Sequence, residues 1–569
     1  MPSATEIETP HWKAATTANK PSWVLPGPFD IYAEEYYTPH EWVPTPKTVY
    51  ELLMYQLSWA IRSKPDWQRK ATDPEIRRKW HQEALQQQAS KNASEEACLT
   101  EKMVDYVLAE LDGYAKIADN ERGIERACFE AIWHSDRLIS NDLLENLKSA
   151  AKTLEDVPEG GKDWHPGSNN QVLDLVHPSL YCVVYGRTHA YLPNKPRIAT
   201  NYAPVQAPEP SKWASPNFSW LPSDFTVDGT GSVKLASPYI NNLHPVLHRP
   251  TYDIIEQVLS AFVPMFERVL GDFNREHGRV PFSTGDRLEQ ISCIFKLQEG
   301  LRQPEDMYDD EWFAYLDTVP KTLPQGRHYN GHLEAQFMPV SLRGRTIQCI
   351  IKLANIHLTP EQPEYAGGSW HVEGMLNERI VASGIYYYDE ENVTESKLSF
   401  RIAVDNPEYH GQDDGQCMRM LYNMESDGDL VQELGAVVTK PGRALSWPNL
   451  FQHRVSPFKL VDPSKPGHRK ILAFFLVDPT KDPILSATDV PPQRADWAAE
   501  ALEAACVDST SLLGEFPREL RDLVKDNFPP TLISAQEAEV YRAELMKERT
   551  ASVESHTRQY LQSFNLCEH

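Results

Sequence analysis

The sequence predicts an α+β protein whose core is a double-stranded β-helix, or jelly roll, embedded in helical and irregular regions at either end. Two patterns carry that expectation. Between residues 336 and 477, short apolar runs rich in β-branched and aromatic residues alternate with turn residues, and about seven or eight such strands suit a double-sheet roll. Before and after that stretch, apolar residues recur at three- and four-residue steps, the spacing of an amphipathic helix.

At 569 residues the chain is long for one core. Residues 1–334 are expected to form a helical, loop-rich region packed on the core, residues 335–491 the roll, and residues 492–569 a helical extension.

Residues 1–48 are rich in proline and aromatics (Trp23, Pro26, Tyr36, Trp42) and read as an irregular segment lying against the body. From residue 51 to 119 the pattern is helical, through Leu52, Leu53 and Leu57 and then Met103, Val104, Val107, Leu108 and Leu111, with Thr100 placed as an N-cap. Residues 164–243 shift to proline, asparagine and aromatics, which predicts loops and short strands. Thr251 then opens a helix with Ile254, Ile255, Val258, Leu259, Phe262 and Phe266 on one face and a kink at Pro264. Strands of the roll are expected at 347–357, 380–388, 398–404, 434–438, 444–447, 455–458 and 471–477. After Pro491-Pro492 the chain turns helical again, with a capping box at Ser534 and Glu537.

One stretch inside the β-rich part carries chemistry. It contains Gly367-Gly-Ser-Trp-His371-Val-Glu373-Gly and, much later, Asn449-Leu-Phe-Gln-His453. In a strand, residues two apart share a face, so His371 and Glu373 project together while Val372 faces away. A third ligand from a remote strand, His453, completes a two-histidine, one-carboxylate facial triad, which leaves positions open for ligands as non-haem Fe(II) oxygenases require. Trp370, Tyr386 and Asn449 are expected near this centre, packing first and touching substrate second.

The same His-x-Asp/Glu spacing occurs at His81-Gln-Glu83, His134-Ser-Asp136 and His332-Leu-Glu334. The first two fall in segments that read as helical, where such residues diverge around the axis, and the third has no strand before it. Of the histidines that compete to be third ligand, His357, His410 and His468 are less well placed than His453, which heads a strand after a Pro-Asn turn.

The runs Ile351-Lys-Leu-Ala-Asn-Ile-His-Leu-Thr-Pro, Tyr365-Ala-Gly-Gly-Ser-Trp-His-Val-Glu-Gly and Gly467-His-Arg-Lys-Ile-Leu-Ala-Phe-Phe-Leu-Val-Asp-Pro, with His177-Pro-Ser-Leu-Tyr upstream, resemble a mostly fungal family catalogued as a domain of unknown function. That family is in turn similar to the jelly-roll Fe(II)/2-oxoglutarate oxygenases. The resemblance implies an Fe(II) centre on His371, Glu373 and His453, with Arg469 on the last strand pairing with the far carboxylate of 2-oxoglutarate. Two departures stand out: Ile471 replaces the Ser or Thr common in relatives, and the gap from His453 to Arg469 is long, which leaves Arg401 and Arg443 as other cations for the role.

Composition narrows the partners. A formal net charge of -25 and a pI near 5.2 work against nucleic-acid binding, and no run approaches the roughly 20 apolar residues of a membrane span. The N-terminus lacks a secretory signal, and the eight scattered cysteines form no Cys-x-x-Cys pair, so a cytoplasmic location with reduced thiols is expected. The leading expectation is an Fe(II)- and 2-oxoglutarate-dependent dioxygenase acting with dioxygen on a small organic substrate, releasing succinate and CO2. Two others stay open: a catalytically silent roll that binds a ligand or partner, and a cupin-like metalloenzyme that does not use 2-oxoglutarate.

Overall fold

A computed structural model of the chain describes residues 25–29, 43–92, 97–193, 195–197, 201–272, 274, 287–289, 303–318, 324–407, 415–507, 516–529 and 531–561. Most of the expected irregular segment 1–48, and His410, lie outside the described residues.

The helices include α1 (Val49–Arg62), α2 (Glu101–Ile117), α3 (Asn141–Glu155), α4 (Arg249–Asp272) and α5 (Ala535–Tyr560). Thr100 caps α2 as expected, its hydroxyl accepting the Met103 amide N–H. At α5, Ser534 accepts from the Glu537 N–H. α4 carries Pro264 inside it and buries the expected apolar stripe from Ile254 to Phe266. No described helix is long and apolar enough to cross a membrane.

The strands are β1 (Glu125–Arg126), β2 (Trp133–Ser135), β3 (Val172–Val176), β4 (Ser223–Val227), β5 (Val233–Leu235), β6 (Arg345–Leu358), β7 (Ile380–Glu391), β8 (Ser396–Ala403), β9 (Val431–Thr439), β10 (Ala444–Pro448), β11 (Gln452–Val455) and β12 (Gly467–Val477), with a few two- and three-residue pairs besides. They do not make the jelly roll that the sequence predicts. Among the described residues no sheet closes on itself. Instead β1-β2-β10-β7-β12-β6-β4-β5 form an open sheet, completed to nine strands by β3 beside β6, and β9-β8-β11 form a separate three-stranded sheet. The physical reason is recruitment: β1 and β2 extend one edge and β3, β4 and β5 the other, so strands from the earlier part of the chain occupy edges that would have to meet in a closed roll. The α+β class holds, as helices and several sheets of unequal size.

The main sheet has two different faces. On one, Gly384 lies against α4, and a Cβ there would stand 2.8 Å from the Phe262 ring. Close approach of helix and sheet therefore depends on glycine, and Phe262 and Phe474 meet with ring centroids 5.3 Å apart. On the other face, cross-strand partners line up in rows. Trp447, Ser383, Phe475 and Ile350 form one row, and Leu445, Ile385, Ala473 and Lys352 the next. Trp447 reaches Phe400 of the three-stranded sheet, ring centroids 5.6 Å apart.

Candidate metal centre

His371 and His453 exchange both backbone hydrogen bonds, at 3.2 and 3.0 Å. That pairing brings side chains remote in sequence onto one side of a two-strand bridge. The segment around them is not the regular strand expected. It is an isolated bridge at His371 followed by a turn, where Gly374 takes a φ of 72° and a Cβ would meet Ile380 at 2.8 Å. Glu373 is held instead by Asn449, whose amide oxygen accepts the Glu373 N–H at 2.8 Å. The Asn449 Nδ2 donates to the carbonyls of Glu373 at 2.8 Å and Ile380 at 3.0 Å.

The three side chains converge. Glu373 Oε1 lies 3.6 Å from His371 Nε2 and 3.4 Å from His453 Nε2, and one donor atom from each residue lies within 4.8 Å of the others. Donors each about 2.1 Å from one ion at right angles sit roughly 3 Å apart, so the group fits a single metal. His371 Nδ1 donates to the Ser369 carbonyl at 2.8 Å, which leaves its Nε2 lone pair for the ion. The His453 side chain is 6% exposed, Glu373 16% and His371 33%, so the centre is buried on one side and open at His371. Burial pushes the Glu373 carboxyl up, but the two neighbouring imidazoles outweigh it and hold the group well below the usual range. Burial also acts against charge on His371, yet the Glu373 hydrogen bond and charge raise it. At His453, burial and the charge of His371 prevail and lower it.

A second group of metal-type side chains, His165, Asp174 and His177, also meets within 4.8 Å. His165 Nδ1 pairs with Asp174 Oδ2 at 2.7 Å, and His177 Nδ1 accepts the Ser179 N–H at 3.2 Å. Accepting at Nδ1 puts the proton of neutral His177 on Nε2 and withdraws that lone pair from a metal. This group is held as a hydrogen-bonded cluster.

The family model described as a protein of unknown function (DUF4246) matches residues 101–501, and a companion model for its N-terminal domain matches residues 11–83. The chain belongs to this family. No curated protein matches the sequence. Among solved structures, a bsmA homologue from Methylobium petroleophilum is 13% identical over 24% of this chain and 43% of its own, less than half its length, with a TM-score of 0.14. The Fe(II)/(alpha)ketoglutarate-dependent dioxygenase TqaL is 11% identical over 62% of this chain and 97% of its own, with a TM-score of 0.22. At such scores the reading of this member of the family rests on its own site.

The remaining expected residues scatter. Tyr386 is 1% exposed and alternates with Tyr387 onto the Gly384 side of β7, the side packed on α4, away from the triad. Trp370 meets the guanidinium groups of Arg401 and Arg454, 4.6 and 4.5 Å from its ring centre. Asn449 spends its side chain on backbone and has no donor left for a substrate. Arg469 is 1% exposed on the inner side of β12, as expected, but the chain supplies its anion, contrary to expectation. Nε donates to Glu390 at 2.7 Å, Nη1 to Ser396, and the guanidinium covers Phe458 at 4.2 Å, while Nη2 has no partner. Of the rival pairs, His81 is helical as expected, His134 lies in β2 and not in a helix, and His332 begins a short helix. None of these joins a three-ligand group among the described residues.

Proposed function

We propose that this chain is an oxygenase that holds one Fe(II) on His371, Glu373 and His453 and uses 2-oxoglutarate and dioxygen to oxidise a small organic molecule, with release of succinate and CO2. The observation that supports it is the convergence of two Nε2 atoms and one carboxylate, with the His371 tautomer set by a backbone carbonyl and one side left open. Fe(II) in such a centre supplies dioxygen activation coupled to oxidation of the keto acid.

The chain's own part is to place and shield. The Ser369 carbonyl orients His371, Asn449 locks the backbone at Glu373, and Trp447 packs edge-on against His453 with ring centroids 4.9 Å apart. Trp447 and Phe400 keep water from the buried side, so ligands enter past His371.

The test is turnover. Purified protein given Fe(II), 2-oxoglutarate and dioxygen should form succinate, and Glu373→Ala should abolish it. Iron uptake without succinate would favour a metalloenzyme that does not use 2-oxoglutarate, and neither iron nor succinate a silent binding protein.

A further inference from the structure

Lys352 stands on β6, directly across from Ala473, at the far end of the row next to the one that reaches Trp447, whose ring meets that of His453. It is half-buried and, among the described residues, forms no hydrogen bond or ion pair. Its charge favours the Asp174 carboxylate and opposes charge on the His371 imidazole. No hydrogen bond joins it to Asp174, whose Oδ2 is taken by His165 and whose Oδ1 bonds to nothing.

Two further polar groups on the same face are idle. Ser383 is fully buried and Trp447 is 3% exposed, and neither Ser383 Oγ nor Trp447 Nε1 has a hydrogen-bond partner. An ammonium and an indole N–H can only donate, and a serine hydroxyl can. Buried donors without acceptors are costly to leave so, and two of them on the same face as a half-buried ammonium describe a place for an anion.

Arg469 is badly situated by comparison. It lies six residues along β12 from Phe475 and two strands across from Trp447, about 22 Å from it along the sheet, whereas Lys352, one row along and three strands across, lies about 16 Å away before its long side chain is counted. A five-carbon diacid spans about two residues of extended chain, roughly 7 Å. Glu390 also already neutralises Arg469.

We propose that Lys352, with Ser383 and Trp447, forms the carboxylate-binding half of the site, so that the acid held beside the metal centre is a dicarboxylate and Arg469 takes no part in holding it. This rests on the metal centre assigned above. Arg469 keeps a structural role, joining Glu390, Ser396 and Phe458 where β7, β8 and β12 meet.

The test uses the full chain loaded anaerobically with Mn(II) and titrated calorimetrically with 2-oxoglutarate and with pyruvate, a keto acid without a second carboxylate. Lys352→Ala should weaken 2-oxoglutarate at least about tenfold, as loss of a charge-assisted contact does, while Mn(II) and pyruvate affinities stay as in the wild type. Lys352→Arg should restore most of the affinity, and Arg469→Lys should leave it unchanged. Equal 2-oxoglutarate affinity in Lys352→Ala and wild type, or a tenfold loss in Arg469→Lys with Mn(II) retained, overturns the proposal but not the metal centre. A wild-type protein that takes up no Mn(II) overturns both.

Discussion

His371 and His453 form a reciprocal backbone pair whose imidazole centroids lie 4.4 Å apart. Two ligands are therefore set by main-chain geometry and need only the third, Glu373, to be steered. Asn449 does that steering, and its amide is saturated by the task.

Asn449→Ala should loosen the centre more than the fold. It leaves buried backbone groups at Glu373 and Ile380 without partners, a loss of about 1–3 kcal/mol, and iron affinity should fall by roughly 10–100-fold, as for other residues that orient a ligand. Denaturant unfolding and anaerobic iron titration of the variant measure the two effects separately.

Gly384→Ala should destabilise without touching the centre. The added methyl would sit 2.8 Å from Phe262, and overpacking of this kind costs about 1–3 kcal/mol. The urea midpoint should drop while iron stoichiometry is unchanged.

Acid sensitivity should trace in part to His134. Burial, reinforced by Arg443, pushes its imidazole down to about 3, against about 6.5 when unfolded. Between those values only the unfolded chain binds the proton, so the contribution of neutral His134 is complete above about pH 6.5 and is lost as pH falls toward 3. His134→Phe should remove up to about 1.4 kcal/mol per pH unit from the slope of stability against pH in that window. Unfolding free energies of both proteins from pH 7 to pH 5 provide the comparison.

The chain should resist division. Strands from before residue 236 bond into the same sheet as β6, β7, β10 and β12, so residues 335–491 expressed alone should be insoluble, and limited proteolysis should release no stable fragment of that span. A soluble, cooperatively folding 335–491 fragment would count against it.

The longer strands were legible because β6, β7, β8 and β12 are eight to fourteen residues long and dense in β-branched and aromatic side chains. β1, β2, β4 and β5, at two to five residues, are shorter than any period can show, and they are what keeps the main sheet open. The spacing of His371 and Glu373 was readable, but the turn at Gly374 and the backbone clamp by Asn449 were not, because a side chain bonded to main chain leaves no pattern. The ion pair of Arg469 is hidden for a related reason: its anion, Glu390, comes from the neighbouring strand β7 and not from its own. Lys352 was visible as an odd charge in an apolar strand, yet only the register opposite Ala473 gives that charge a place.

The most direct measurement is anaerobic Fe(II) titration of the wild type beside Glu373→Ala and Asp174→Ala, with circular dichroism to establish that all three are folded. One iron per chain should bind to the wild type and to Asp174→Ala, and Glu373→Ala should lose most of its affinity while remaining folded. Normal loading of Glu373→Ala, or loss of loading in Asp174→Ala instead, would contradict a metal centre on His371, Glu373 and His453.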